Sequence, residues 1–235
     1  MAEDPVWELR ELVGALSNWL RFQGRLGWVG VKEEVEPPAP PKRRQPQSSR
    51  QTLKEIREEL GDCRRCKLAG TRNLIVFGDG SPQARLMFIG EGPGAEEDVQ
   101  GLPFVGAAGQ LLNNMLSKLG LRREEVYIAN VVKCRPPGNR EPESDEVAAC
   151  LPFLAKQIDS LRPRVIVTLG RVATQALLTT QTPLTRLRGQ WQHYQHIPVM
   201  PTFHPSYLLR FPRERQKTWE DMQLVMEQLT THADH

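Results

Sequence analysis

The chain has 235 residues, 39% of them hydrophobic and 25% charged, with 31 Lys+Arg against 28 Asp+Glu for a formal net charge of +3. That length suits one compact domain plus an appendage, and no stretch approaches the ~18 consecutive apolar residues that a membrane span needs. The start, MAEDPVWELR, is acidic where a secretory signal would be basic and then apolar, so a cytoplasmic protein is expected.

Taken in chain order, Val6, Leu9, Leu12, Val13, Leu16, Trp19 and Leu20 fall at helical spacing. They predict an amphipathic helix inside an N-terminal extension over 1–35, with Asp4 and Pro5 as cap and first-turn proline. Residues 36–50, EPPAPPKRRQPQSSR, hold five of the 19 prolines. They predict a semi-extended linker with a basic knot at Lys42, Arg43 and Arg44. From 51 to 235 short apolar runs alternate with amphipathic segments. The spacing predicts helices over 52–60, 105–119, 145–161, 171–178 and 213–231, and strands over 86–89, 126–132, 165–169 and 197–202. Such alternation predicts an α/β domain, a three-layer sandwich whose central, mainly parallel four-stranded sheet is flanked by helices.

In such folds ligands sit beyond the carboxyl ends of the strands. Four segments lie there: the turn Gly90-Glu91-Gly92-Pro93-Gly94, Asn130 followed by Lys133-Cys134-Arg135, Leu169-Gly170, and Phe203-His204-Pro205-Ser206. The turn GEGPGA fits the loose form of a dinucleotide fingerprint. Pro93, however, stands where a phosphate-binding helix should open, and no carboxylate follows at the ribose-binding position. A ligand-free turn, or a turn whose glycines let backbone approach a flat ligand, are the other readings. Asn130 is either a turn former bonding its own backbone or a carboxamide offered to a base edge. His204 precedes Pro205, which holds its backbone extended at the sheet edge. Lys133, Arg135 and Arg140, then Arg210, Arg213, Arg215 and Lys217, flank the same edge. They form either a solvated face or a phosphate-tracking rim.

The four cysteines are too few for a disulfide scaffold, and their spacing is informative. Cys63 and Cys66 form a C-x2-C pair, Cys134 follows after 67 residues and Cys150 after 15 more. One close pair plus two dispersed thiols is compatible with zinc, fits a four-iron cluster as well or better, and leaves buried free thiols as the bland reading. Arg64, Arg65 and Lys67 flank the pair, and cations lower thiol pKa and offset the charge of thiolate ligands.

Several separate motifs then occur in order: GEGPGAEED at 90–98, GLPFVGAAGQLL at 101–112, IANVVKCRPPGNR at 128–140 and TFHPSYLLR at 202–210. Over roughly 52–230 the chain resembles the family 4 uracil-DNA glycosylases, the iron–sulfur branch of their superfamily. The resemblance implies a monomeric hydrolase that releases uracil from single- or double-stranded DNA and leaves an abasic site. It implies that Cys63, Cys66, Cys134 and Cys150 ligate a structural 4Fe-4S cluster. By the same resemblance Glu91, Gly92 and Pro93 form the turn beside the uracil, Phe104 stacks on the flipped base and Asn130 reads its pairing edge. His204 then stabilises charge on uracil O2. Glu97 is implied to be a pocket carboxylate near the C5 edge. Other branches carry Asp or Asn where Gly92 stands here, so Glu91, Glu97 and backbone carbonyls are all candidates for holding the attacking water. Arg135, Arg140, Leu208, Leu209 and Arg210 are the expected DNA contacts, with one of the two leucines exposed in the minor groove. A covalent or non-catalytic binder of uracil-containing DNA is the competing reading. The Arg-rich, histidine-bearing insertion that marks such a branch is missing after the first motif.

Overall fold

The computed structural model describes Val13 and residues 50–231. The expected N-terminal helix and Pro-rich linker lie outside the described residues, apart from Val13 and Arg50. The chain divides into two units, Met1–Ser48 and Ser49–His235.

Helix α1 (Leu53–Leu60) starts at Thr52, whose hydroxyl accepts from Glu55 N–H while the Glu55 carboxylate accepts from Thr52 N–H. This reciprocal cap satisfies two of the orphan donors of the first turn. The helix ends at Gly61, where φ is +54°, and buries Ile56 and Leu60 against Phe153. Strands β1 (Asp79–Gly80), β2 (Leu86–Gly90) and β3 (Tyr127–Asn130) follow, with helices α2 (Ala95–Gln100) and α3 (Ala107–Lys118) between the last two. Then come α4 (Ser144–Leu161), β4 (Val165–Leu169), α5 (Arg171–Leu178), α6 (Leu184–Leu187), β5 (Gln192–Tyr194), β6 (Ile197–Thr202), α7 (Pro205–Arg210) and α8 (Arg215–Thr231).

The sheet has six strands in the order β1-β3-β2-β4-β6-β5. Its four inner strands are parallel, and both edges pair antiparallel. The expectation of four strands is therefore corrected to a six-stranded mixed sheet. The two extra strands are two and three residues long and only partly buried, so neither presents the apolar run that reveals a buried strand.

Side-chain parity splits the core. In β2, Met87 and Ile89 pack with Leu154 and Ile158 of α4 and Ala173 and Leu177 of α5. Leu86 and Phe88 pack on the opposite face with Leu112 and Leu116 of α3 and Met222 and Val225 of α8. Strand β4 divides the same way, Ile166 against Val165, Val167 and Leu169. With both faces covered, the inner strands are near-continuous apolar runs rather than alternating ones. Burial at ~25 cal/mol per Å2 of apolar surface makes these two faces the main favourable contribution to the fold. The connection from β2 runs to β3 on one side and the next, from β3 to β4, passes to the other side of β2, and a crevice opens at the carboxyl ends there. Among the described residues no helix is long and apolar enough to cross a membrane.

Candidate active site

A cavity of about 620 Å3 occupies that crevice. Glu91, Gly92, Pro93, Glu97, Phe104, Asn130 and His204 all line it, so the structure brings together every expected base-contacting residue.

Gly90 ends β2 directly opposite Asn130 of β3. A Cβ there would lie 2.4 Å from Asn130 Oδ1 and 2.6 Å from the Phe104 ring, so both side chains use the space a glycine leaves. Asn130 is buried, and its Oδ1 has no hydrogen-bond partner. A buried, unpaired acceptor costs roughly 1–3 kcal/mol, which a ligand donor would recover. At Gly92 a Cβ would meet Val132 Cγ2 at 2.7 Å. The Asp or Asn of other branches would therefore crowd that side chain.

Phe104 is buried and adopts φ +53°, a conformation unusual for a bulky residue. Two side chains hold it there. Glu97 accepts from Gly94 N–H (3.1 Å), Val105 N–H (3.0 Å) and Gly106 N–H (3.0 Å), tying the Gly-rich turn to the Phe104 loop. Arg123 donates to the Phe104 carbonyl at 3.1 Å, to Asn113 Oδ1 and to the Pro103 carbonyl. Gly109 completes the seat, since a Cβ there would overlap the Phe104 carbonyl. Both Glu97 oxygens thus accept from backbone while the residue lines the cavity. Arg123 has no signature in the sequence, being 19 residues away in a short 3-10 turn.

His204 caps α7. Its Nδ1 accepts from Ser206 N–H at 3.1 Å and lies 2.8 Å from Ser206 Oγ. An amide can only donate, so Nδ1 is unprotonated and the ring proton resides on Nε2. Burial pushes the imidazole from its ordinary 6.5 down to about 4; Arg210 acts in the same direction and Glu97 opposes. The ring is therefore neutral at neutral pH. Its centroid lies 5.6 Å from that of Phe104, tilted by 35°. Gly170, at φ +91°, leaves room for it: a Cβ would stand 3.0 Å from His204 Cβ.

Glu91 makes a second kind of carboxylate. Burial first, then repulsion from Glu141, push it from the ordinary 4.5 up to about 7, with Arg171 opposing. Arg171 and Glu141 form an ion pair at 2.5 Å on the cavity wall. Neither was expected from the sequence, although Arg171 immediately follows the β4 strand end and Gly170, where a site residue belongs.

The expected DNA contacts divide. Arg210 lines the cavity and is exposed. Arg140 also lines it, but its guanidinium is committed to both oxygens of buried Glu146. Arg135 lies outside the lining and donates to Asn139 at 2.8 Å. Leu208 is fully buried and Leu209 is 41% exposed. The six-residue α7 turns one leucine into the core, so Leu208 is corrected from DNA contact to core residue.

The cysteine pair and the two cysteines distant from it in sequence line one small void. Lys133 N–H donates to Cys150 Sγ at 3.2 Å, Arg65 approaches Cys63 Sγ at 3.3 Å and Arg72 approaches Cys134 Sγ at 3.5 Å. Only Arg65 of the three flanking cations reaches a sulfur; Arg64 pairs with Asp62 and Lys67 with Glu143. As free thiols, Cys134 is pushed up to about 11 and Cys150 also upward, because burial outweighs the cations. Four thiols around one volume, met by N–H and guanidinium donors, fit a bound group that accepts negative sulfur.

The uracil DNA glycosylase superfamily model matches residues 77–223. The chain is 45% identical over 185 residues to the type-4 uracil-DNA glycosylase of Sulfurisphaera tokodaii, covering 75% of this chain and 84% of that one. It is 48% identical over 167 residues to the type-4 enzyme of Thermotoga maritima, covering 69% and 86%. To the type-5 enzyme of Pyrobaculum aerophilum it is 33% identical, covering 55% and 64%. With its strand-end motifs gathered around one cavity, the chain belongs to the uracil DNA glycosylase superfamily, in its type-4 branch.

Proposed function

We propose that residues 51–235 form a glycosylase domain that hydrolyses the N-glycosidic bond of deoxyuridine in DNA, preceded by an extension (1–35) and a linker (36–50). Uracil leaves as the free base and an abasic site remains, the first step of base excision repair. One observation carries the reading: a buried Asn130 oxygen without a partner, facing a cavity also lined by an aromatic ring and a neutral imidazole.

The target nucleotide must be extruded from the stack to reach such a cavity, at a cost of a few kcal/mol. Stacking on Phe104 offsets ~1–3 kcal/mol of it. Asn130 Oδ1 accepts the uracil N3–H and its amide N–H donates to O4. Cytosine presents the reverse pattern and leaves both groups unpaired, which discriminates strongly. As the bond from C1′ to N1 breaks, the electron pair goes to the base and charge grows on O2. His204 Nε2–H donates there, and donors aimed at developing charge are worth ~3–4 kcal/mol.

Water adds to C1′ and releases a proton. Glu91 is the acceptor, because Glu97 already serves three backbone N–H groups and Gly92 carries no side chain. A carboxyl held near neutrality is matched to that task.

Cys63, Cys66, Cys134 and Cys150 would hold a 4Fe-4S cluster, which supplies a cross-link between α1's end, the β3 tail and α4. The acting species is a monomer working on chromosomal DNA in the cytoplasm. The test is an oligonucleotide series containing U·G, U·A, single-stranded U and T·G. Free uracil with multiple turnovers is expected from the first three and none from T·G. A persistent protein–DNA adduct, or no release, refutes the reading.

A further inference from the structure

Phe203, Tyr207 and Phe211 form a ladder of rings. Phe203 and Tyr207 centroids are 5.0 Å apart, and Tyr207 and Phe211 centroids 4.7 Å apart. The inner end belongs to the cavity, which Phe203 and Tyr207 both line. The Arg188 guanidinium lies 5.5 Å from the Phe203 ring centroid. The outer end is Phe211, 51% exposed. An exposed ring continuous with a ladder that begins in the cavity offers a flat face on which a base can stack.

The backbone at Phe211 is fixed. Its N–H donates to the Tyr207 carbonyl at 2.9 Å, and its carbonyl accepts from Glu214 N–H at 3.0 Å. Pro212 follows and removes another degree of freedom. The ring therefore loses little freedom when a ligand lands on it. Beside it in the chain Arg210, Arg213 and Arg215 are exposed, and the one carboxylate among them, Glu214, is paired with Lys217 at 2.8 Å. An aromatic face framed by cations suits a nucleobase whose phosphates meet the arginines.

We infer that Phe211 is a stacking platform for the base next to the extruded uridine on the same strand. The same strand follows from continuity: the ladder starts at the wall that receives the extruded base and ends outside the cavity. Exposed Leu209 is left to occupy the vacated gap, so the two side chains have separate partners. This inference rests on the uracil-DNA reading above.

The experiment combines a protein change with a substrate change. Wild type and Phe211→Ala are assayed on single-stranded oligonucleotides carrying uridine between two bases, or with an abasic spacer on one side of it. Turnover by the wild type on the plain substrate tests the glycosylase reading separately. Phe211→Ala is expected to raise KM by about five- to a hundredfold with kcat within about twofold. The spacer on one side should raise the wild-type KM equally and leave the Phe211→Ala value unchanged. Phe211→Trp should restore the wild-type KM, and Phe211→Leu should not. Unchanged melting of each variant separates the effect from misfolding. A wild-type KM in Phe211→Ala, or additive effects of variant and spacer on both sides, overturns the proposal. A protein-docking role for Phe211 would appear as the first of these.

Discussion

Gly90 and Asn130 face each other at the ends of neighbouring parallel strands, and the space above Gly90 is filled by the Asn130 carboxamide and the edge of Phe104. The carboxamide proposed to read the base and the ring proposed to stack on it therefore share one missing methyl group. Gly90→Ala should displace one or both, because a Cβ at 2.4 Å from Asn130 Oδ1 cannot be accommodated in place. We expect overpacking of ~1–3 kcal/mol and a fall in kcat/KM of at least tenfold. Thermal melting alongside single-turnover kinetics checks it; wild-type turnover would show that the two side chains are not coupled through this position.

Glu91→Gln separates stability from catalysis. In the folded protein the carboxyl holds its proton up to about pH 7, against an ordinary 4.5. The native state then binds more protons than the unfolded chain between those values, so stability falls as pH rises from about 4.5 through about 7. Gln has no proton to lose. The variant should be more stable than wild type at pH 8 by on the order of 1 kcal/mol, allowing for solvent screening. It should also be much slower and lack an acid limb in its pH–rate profile, whereas wild-type activity declines below about 7. Melting curves and rates across pH 5–9 test both signs together.

His204→Ala and Asn130→Ala should each lose ~10²-fold or more in kcat/KM without loss of fold. The two differ in specificity. Removal of His204 should scale all uracil substrates down alike, while removal of Asn130 should narrow the preference for uracil over cytosine. Binding of free uracil by each variant distinguishes them.

Glu97→Gln places an amide N–H where Gly94 N–H seeks an acceptor. Two donors would then confront each other, at a cost of ~1–3 kcal/mol. The Phe104 loop should loosen, and KM should rise more than kcat falls. Equal loss in both parameters would instead point to a direct role in the chemistry.

Lys133 is buried, donates through Nζ to the Asn130 carbonyl at 2.8 Å and to Gln157 at 2.6 Å, and offers its N–H to Cys150. Cys134→Ser should cost iron content, visible absorbance and several degrees of melting temperature. Lys133→Met should lower stability by ~1–3 kcal/mol, since Gln157 and the Asn130 carbonyl lose their donor. Iron analysis and melting after chelation measure both.

The inner strands β2, β4 and β6 and the helices packed on them were legible, because burial on both faces writes an uninterrupted apolar run and each helix writes its stripe. The edge strands were not, since Asp79–Gly80 and Gln192–Tyr194 carry no hydrophobic signature. Strand β3 stops at Asn130 although apolar residues continue to Val132. Val131 and Val132 are buried beyond the ladder, and burial alone does not distinguish strand from loop. At the site, residue types at strand ends announced Asn130 and His204. Leu208 was misread, and the partners of Glu97 and Arg140 were not legible, because a leucine, a carboxylate or a guanidinium in a motif does not reveal which neighbour claims it. Here backbone amides, Glu146 and the core claim them. Arg171 and Glu141 meet only through folding, 30 residues apart.

Helix α7 is six residues long, about 9 Å from end to end. The imidazole sits at one tip, the outermost ring of the ladder at the other, and Leu208 is sunk into the body between them. Leu208 pins it as a fixed spacer. A strand that seats on the outer tip is thereby held at a fixed distance from the imidazole, so where it lands and where its oxygen is met are set by the same rigid piece.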